Sequence, residues 1–160
     1  IGVIATESTI ASQLYTKVIH THAPRAQVFG KACPLFVPLV EEGWMKDPVT
    51  VEVANRYLEP LMESGIDTLI LGCTHYPLIR STIQEVMGEK VRLVNPAYET
   101  ALELKELLEQ NHILNDGNYI PEGPVHQFYV SDAADKFRKF ANSILPYDID
   151  TTQLIQIEEY

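Results

Sequence analysis

The sequence has few cysteines, few basic residues and no long apolar run, and each shortage excludes a class of protein. Its two cysteines, Cys33 and Cys73, lie far apart with no Cys-x-x-Cys pair, which argues against a disulfide framework and favours a reducing, cytoplasmic compartment. Twelve Lys and Arg residues stand against 22 Asp and Glu residues, for a net charge of −10. This charge argues against nucleic acid and anionic membranes as partners. No apolar stretch approaches the roughly 20 residues of a membrane span.

The patterns that usually mark cofactor and metal sites are missing as well. No glycine-rich loop is followed by the lysine of a phosphate-binding motif, and no Cys-x-x-Cys or His-Glu-x-x-His pattern occurs. His20 and His22 are too closely spaced to share a helix face. No lysine has the sequence context typical of pyridoxal phosphate enzymes. We therefore expect neither a metal nor an organic cofactor.

Strand-like and helix-like segments alternate along the chain, which predicts an α/β fold with a parallel sheet and helices on both faces. Predicted strands cover 1–5, 27–30, 68–71, 91–94, 127–130 and 154–157. Predicted helices cover 9–22, 49–64, 77–87, 96–109 and 133–144, with a short helical turn at 39–42 after a proline-bearing loop. In the first helix one face holds Ile10, Leu14, Tyr15 and Val18. Pro60 predicts a kink or break in the second helix, and the polar segment 111–124 is predicted to be an exposed loop.

The segment 72–77 reads Gly-Cys-Thr-His-Tyr-Pro and directly follows the predicted strand 68–71. Ligands of open α/β sheets bind beyond the carboxyl ends of the strands, so Cys73 is predicted to stand at the mouth of the sheet. A thiolate there can act as a base or a nucleophile, although a small buried apolar cysteine is the alternative. Pro77 can begin the next helix, whose first N–H groups favour an anion such as a substrate carboxylate.

The segment 71–77 resembles the second catalytic-cysteine motif of glutamate racemases. The segment 32–41, Ala-Cys-Pro-Leu-Phe-Val-Pro-Leu-Val-Glu, resembles the middle signature of that family, and the opening 1–6 with Thr9 resembles the start of its second half. The segment 128–132, Phe-Tyr-Val-Ser-Asp, resembles its closing strand and helix. The resemblance implies an aspartate/glutamate racemase-like fold, with glutamate as substrate. It also implies cofactor-independent interconversion of L- and D-glutamate by two-base, two-cysteine proton transfer for peptidoglycan synthesis.

The resemblance also implies roles for single residues. Cys73 is expected to be one of the two acid/base groups, with His75 and Glu41 supporting it. Thr74 and His75 are expected to bind substrate, and so are Thr6 and Thr9. Simpler interpretations stay open: His75 as a structural histidine, Glu41 as a solvated glutamate with Glu42 beside it, and Thr9 as a helix cap.

The chain departs from the family in lacking its first catalytic cysteine, in a Cys-Asn-Thr context, and its Asp-Ser motif. We therefore interpret it as the carboxy-terminal part of a racemase, inactive when isolated. Residues 1–95 are predicted to form the second racemase domain. Residues 96–160 are predicted to form a tail that returns to pack on the missing amino-terminal half, so that apolar residues there are exposed or pair with another chain, for example in a homo-oligomer.

Three alternatives remain. Cys33 could supply the second base of a two-cysteine enzyme within these 160 residues, a model we disfavour because the family takes that base from its first half. A single-thiol, decarboxylase-like member of the superfamily needs only one cysteine, although the predicted pair of His75 and Glu41 argues against it. A carboxylate-binding or partner-binding module needs no chemistry at all.

Overall fold

The computed structural model describes residues 1–115, 126–149 and 152–157, and it confirms the predicted α/β fold with a parallel sheet. The strands are β1 (Gly2–Ala5), β2 (Phe29–Ala32), β3 (Thr68–Leu71), β4 (Arg92–Val94), β5 (Phe128–Val130) and β6 (Thr152–Leu154). The helices are α1 (Glu7–Ala11), α2 (Leu14–His22), α3 (Phe36–Glu41), α4 (Pro48–Glu63), α5 (Arg80–Met87), α6 (Pro96–Gln110) and α7 (Ala134–Ile144). A 3-10 turn at Tyr76–Ile79 precedes α5.

The first four strands form one parallel sheet in the order β2-β1-β3-β4. Gly2 lies opposite both Phe29 of β2 and Leu69 of β3, so β1 runs through the centre of the sheet. From β1 the chain first moves to β2 on one side and then to β3 on the other. This reversal is the switch point at which open α/β sheets form a ligand crevice.

The core lies against this central strand. All four residues of β1 are buried, as is usual for a parallel strand covered on both faces. Leu69 and Leu71 of β3 pack into the same core, and α4 contributes Leu58 and Leu61. Each buried side chain of this size contributes roughly 1.5–3 kcal/mol relative to an exposed one, so these contacts hold the strand ends in place.

Two compact units divide the chain, one of Ile1–Gln110 and one of Asn111–Tyr160. In the second unit β5 and β6 pair in parallel, with Phe128 opposite Thr152. Exposed apolar side chains occur throughout the described part of 96–160, among them Leu104, Leu107, Leu154 and Ile157. The domain boundary at 95/96 stays a prediction. The predicted loop 111–124 has neither helix nor strand over 111–115, and its remainder lies outside the described residues.

The predicted helix 9–22 is wrong in one respect, because it is two helices. Ser12 ends α1, its hydroxyl donating to the Thr9 carbonyl, and Gln13 adopts a left-handed conformation with φ of 58°. The new helix axis changes which face is buried: Leu14 is 60% exposed and Val18 57% exposed. Of the four residues on the predicted apolar face, only Ile10 and Tyr15 are therefore half-buried.

Prolines explain two further differences. Pro60 does not break α4, which continues to Glu63, because Pro60 lies on the exposed side while Leu58 and Leu61 hold the helix to the core. Pro38 lies inside α3, which begins at Phe36 rather than at residue 39. A proline in the first turn of a helix removes an N–H that has no intrahelical acceptor, so the helix tolerates it.

Several boundaries differ by a few residues from the predicted ones. Strand β2 ends at Ala32 rather than at residue 30, and β6 covers Thr152–Leu154 rather than 154–157. The predicted helix 77–87 begins as the 3-10 turn and becomes α-helical only at Arg80. Among the described residues, none of the helices has the length and apolar character needed to cross a membrane.

Candidate active site

The candidate site lies where β1 and β3, two neighbouring parallel strands, end at the same edge of the sheet. Ile4 lies opposite Leu71, and the Gly72 N–H continues the ladder by donating to the Ile4 carbonyl at 2.7 Å. Thr6 directly follows β1, and Cys73 is the second residue after β3. The parallel pairing therefore brings both segments to the switch point of the sheet.

Gly72 is required at this edge for steric reasons. A Cβ at this position would lie 2.9 Å from the Ile4 carbonyl oxygen and 3.1 Å from Cε2 of Tyr15. The carbonyl belongs to the buried strand β1 and cannot move without disturbing the core. The glycine thus allows β3 to end in close contact with β1, and Cys73 follows directly.

The two thiols have different environments. Cys33 is fully buried, and its Sγ donates to the Lys31 carbonyl at 3.6 Å. Burial raises the pKa of the Cys33 thiol to about 12, with Lys31 offsetting part of the rise, so that it stays protonated at neutral pH. Cys73 is only half-buried, and both cysteines are free. Cys73 is therefore the thiol of this chain that a substrate can approach.

His75 is held between two polar side chains. Its Nε2 lies 3.4 Å from Oε1 of Glu41, and its Nδ1 lies 3.3 Å from Oγ1 of Thr74. The side chains of His75 and Glu41 are 25% and 36% exposed, so the pair is neither buried nor free in solvent. Glu41 is the last residue of α3, and the fold brings it to His75. Glu41, Thr74 and His75 thus form one group, and the roles expected of them stay predictions.

Thr6 and Thr9 form a second group, after β1. Their hydroxyl oxygens are 3.0 Å apart, and Ser8 Oγ lies 3.3 Å from that of Thr6. Thr6 occupies the N-cap position of α1 but makes no capping bond with its side chain. Thr9 lies inside α1, so the alternative that it caps the following helix is wrong.

The predicted anion site at the start of the helix after Cys73 differs from what the structure shows there. The first turn after Cys73 is a 3-10 turn, in which the Tyr76 N–H donates to the Cys73 carbonyl and the Leu78 N–H to the His75 carbonyl. These two amides are therefore already used within the turn. A tight turn satisfies the groups that the start of an α-helix leaves open.

Two tyrosines at the site received no role in the sequence analysis. Tyr76 is fully buried, and its hydroxyl donates to the Cys33 carbonyl at 2.8 Å. Tyr15 lies against Gly72. Tyr76 could have been noticed because it is the one aromatic residue of the motif, whereas the position of Tyr15 depends on a helix break that no local signal announced.

The site holds acid/base and hydroxyl groups rather than a ligand cluster for a metal. Among the residues that the structure describes, no three His, Cys, Asp or Glu side chains come together in a metal-binding arrangement. What the arrangement can do is move a proton at the Cys73 sulfur, in the same short segment as Thr74 and His75, the latter paired with Glu41.

Comparison with known proteins decides the family. The sequence pattern of Asp/Glu/Hydantoin racemases matches residues 1–104, which include both loops of the site. The chain belongs to the Asp/Glu/Hydantoin racemase family. The resemblance inferred from the cysteine motif is thereby confirmed.

Several proteins similar to this chain are named glutamate racemases. That of Syntrophus aciditrophicus is 40% identical over 157 residues, which are 98% of this chain and 57% of the relative. That of Thermoanaerobacter sp. (strain X514) is 43% identical over 162 aligned positions, covering 100% of this chain and 59% of the relative. The chain thus spans less than two thirds of the length of these relatives.

Solved structures agree with the fold of this racemase-family chain. A glutamate racemase isoform from Bacillus anthracis superposes with a TM-score of 0.87 at 35% identity, covering 98% of this chain and 57% of that one. The glutamate racemase from Francisella tularensis, solved in complex with D-glutamate, gives 0.87 at 34% identity, covering 99% and 58%. The parallel sheet and its switch point are therefore features shared with these enzymes.

Proposed function

We propose that this chain provides one half of the active site of a glutamate racemase, which interconverts L- and D-glutamate without a cofactor and supplies D-glutamate for peptidoglycan. The observation that carries the proposal is the half-buried thiol of Cys73 at the switch-point edge, two residues before His75, whose ring pairs with Glu41. The relatives named glutamate racemase, and the Francisella enzyme that binds D-glutamate, support the choice of substrate.

The reaction needs an acid/base group on each face of the α-carbon. In the proposed mechanism the Cys73 thiolate takes the α-proton from one enantiomer, and the electron pair moves onto the carboxylate to form an enolate-like carbanion. A second acid on the opposite face then returns a proton, which inverts the centre. In the reverse direction the Cys73 thiol donates the proton. A thiol suits both steps because its ordinary pKa, about 8.5, lies near working pH.

The supporting residues act on this thiol or on the substrate. Glu41 holds His75 in one orientation, as the carboxylate of a catalytic triad holds its histidine, and His75 stabilises the Cys73 thiolate or exchanges a proton with it. The Thr74 hydroxyl and His75 bind substrate from the β3 side, and the paired hydroxyls of Thr6 and Thr9 bind it from the β1 side. Hydroxyl donors in such positions stabilise the developing negative charge.

In our proposal the second base comes from outside these 160 residues, and the burial and raised pKa of Cys33 argue against this thiol as that base. In our proposal residues 1–95 act as the second racemase domain, and the tail 96–160 packs on the half that carries the other cysteine. The exposed apolar side chains of α6 and of the second unit support this packing or assembly as a homo-oligomer. We also propose a cytoplasmic location, supported by the two free thiols.

The experiment compares the 160-residue chain with a chimera that joins it to the part of the Thermoanaerobacter relative outside the matched 59%. Exchange of the α-proton in D2O is measured by NMR for both glutamate enantiomers. The chimera is expected to exchange and racemise both, and the chain alone neither.

Two cysteine variants of the chimera separate the thiols. Cys73→Ser is expected to abolish racemisation, whereas Cys33→Ser is expected to retain it. The half-site proposal would be overturned if the 160-residue chain racemised glutamate by itself and Cys33→Ala abolished that activity. Glutamate binding without any exchange in the chimera would instead indicate a binding module.

A further inference from the structure

The ring of Tyr15 packs at the point where β1 and β3 end. Tyr15 is the second residue of α2, and its Cε2 lies 3.1 Å from the position that a Cβ on Gly72 would take. The Ala5 Cβ lies 3.2 Å from that same position. The aromatic ring therefore fills the space that the glycine leaves open, directly before Cys73.

Tyr15 also connects this edge with the threonine group. It lines a cavity of about 140 Å³ together with Thr9, Ile10 and Gln13. Tyr15 thus lines a cavity together with Thr9 and also lies against Gly72, the residue before the thiol.

The break between α1 and α2 explains how Tyr15 reaches this place. The chain changes direction at Gln13, whose φ is 58°, and α2 begins at Leu14. Leu14 is 60% exposed, whereas Tyr15 next to it is half-buried. A continuous helix would have had a different buried face, so the left-handed residue directs the ring to the sheet edge.

The phenol group of Tyr15 is electrostatically coupled to the thiol. Burial, and after it the negative charge of the Cys73 thiolate, raise the pKa of Tyr15 above its ordinary value. Two groups influence each other in this way only over short distances in partly buried surroundings. Both contributions keep the Tyr15 phenol protonated at physiological pH.

We propose that Tyr15 is a positioning residue for Cys73, whose ring against Gly72 sets the direction in which the loop after β3 carries the thiol out of the sheet. The purpose of this positioning rests on the proposed racemase function. The contact between Tyr15 and Gly72 does not depend on that function, so the positioning role and the racemase function can be disproved separately.

The first test measures alkylation of Cys73 by iodoacetamide in the folded 160-residue chain, with the modified residue identified by mass spectrometry. Tyr15→Leu removes the ring and is expected to speed alkylation of Cys73 at least about threefold, since a looser loop costs less to open. Tyr15→Phe keeps the ring and is expected to stay within about twofold of the unmodified chain. Tyr98→Leu, at an exposed tyrosine of α6, is the control and is expected to change nothing at Cys73.

Buried Cys33 reports on folding in the same samples, because its alkylation requires unfolding. Equal alkylation of Cys73 in the unmodified chain and in a folded Tyr15→Leu variant would overturn the proposal, even if the chimera racemises glutamate. Absence of racemisation in the chimera would leave this result unaffected.

The second test does not require Tyr15→Leu to fold. The Tyr15 resonance of ring-labelled tyrosine, assigned with Tyr15→Phe, is titrated by NMR in the unmodified chain and in Cys73→Ser. Removing the thiolate charge is expected to lower the pKa of Tyr15, an effect that a purely structural ring would not show. An unchanged Tyr15 titration would overturn the coupling.

Discussion

At the scale of single residues, Tyr76 joins the two segments that carry the candidate site. Its hydroxyl donates to the Cys33 carbonyl at 2.8 Å, and its ring meets that of Phe36 edge to face at 5.3 Å. Burial, and then the nearby Cys33 and Cys73, raise its pKa well above the ordinary value. The bond ties the segment leading to Glu41 to the turn that holds His75, so it supports the meeting of these two side chains.

Replacing Tyr76 by Phe is expected to destabilise the fold by about 0.5–1.5 kcal/mol, because the Cys33 carbonyl loses this donor and keeps only the Phe36 N–H. Urea unfolding followed by circular dichroism measures the loss. The matched control is Tyr98→Phe at a tyrosine that is 60% exposed, for which a change within about 0.5 kcal/mol is expected. Equal losses for the two variants would contradict the structural role of this hydrogen bond.

At the scale of elements, the close contact between the ends of β3 and β1 depends on the absence of a side chain at Gly72. Gly72→Ala is expected to cost about 1–3 kcal/mol of unfolding free energy, since the new methyl group would meet the Ile4 carbonyl oxygen at 2.9 Å. Gly30→Ala in β2 is the control, because its methyl group would meet only Ile10, at 3.4 Å. Chemical denaturation measures the unfolding free energy of both variants. A Gly72→Ala variant as stable as the unmodified chain would show that β1 and β3 can separate at this edge.

Helix α4 continues through a proline that contributes no N–H to it. The Pro60 carbonyl accepts hydrogen bonds from both the backbone N–H and the hydroxyl of Ser64. The helix therefore lacks only the hydrogen bond that a backbone N–H at residue 60 would donate. Pro60→Ala restores the backbone N–H, which stabilises the helix, but it also makes the unfolded chain more flexible, which opposes folding. The net increase in unfolding free energy is expected to be about 1 kcal/mol. Thermal and urea unfolding are to be compared with Glu59→Ala, an exposed neighbour. A destabilised Pro60→Ala variant would contradict this account.

At the scale of the whole molecule, buried neutral acids make stability depend on alkaline pH. The Cys33 thiol has its pKa raised from near 9 to about 12 by folding, and the pKa of the Tyr76 phenol is raised as well. Above pH 9 the unfolded chain therefore releases protons that the folded chain retains. Stability present below pH 9 is lost as pH rises toward 12, by up to about 1.4 kcal/mol per pH unit for each such proton.

Urea unfolding between pH 9 and 12 tests this dependence. Cys33→Ala is expected to flatten the decline in unfolding free energy by up to about 1.4 kcal/mol per pH unit, even if its stability at pH 7 is lower. Cys73→Ala, at the half-buried thiol, is the matched control for loss of a cysteine side chain. Identical slopes in the unmodified chain and in Cys33→Ala would contradict the buried, neutral state of Cys33.

Local signals predicted much of the fold. The strand 68–71 agrees with the structure at both ends, because an apolar run bounded by Asp67 and Gly72 needs no distant partner to be recognised. Asn95 accepts from the Ala97 and Tyr98 amides and begins α6, as an asparagine before a proline indicates. The break at Gln13 and the tolerance of Pro60 were not predicted, because packing against other elements overrode local preference in both cases.

By itself the sequence determined the alternation of strands and helices and the candidate groups of the site, since periodicity, caps and the cysteine motif are encoded by neighbouring residues. Only the tertiary structure decided that Cys33 is enclosed while Cys73 is open, that Glu41 reaches His75, and that Tyr15 meets Gly72. These outcomes depend on strand order and helix direction, which bring together residues far apart in the chain, and no local pattern contains that information.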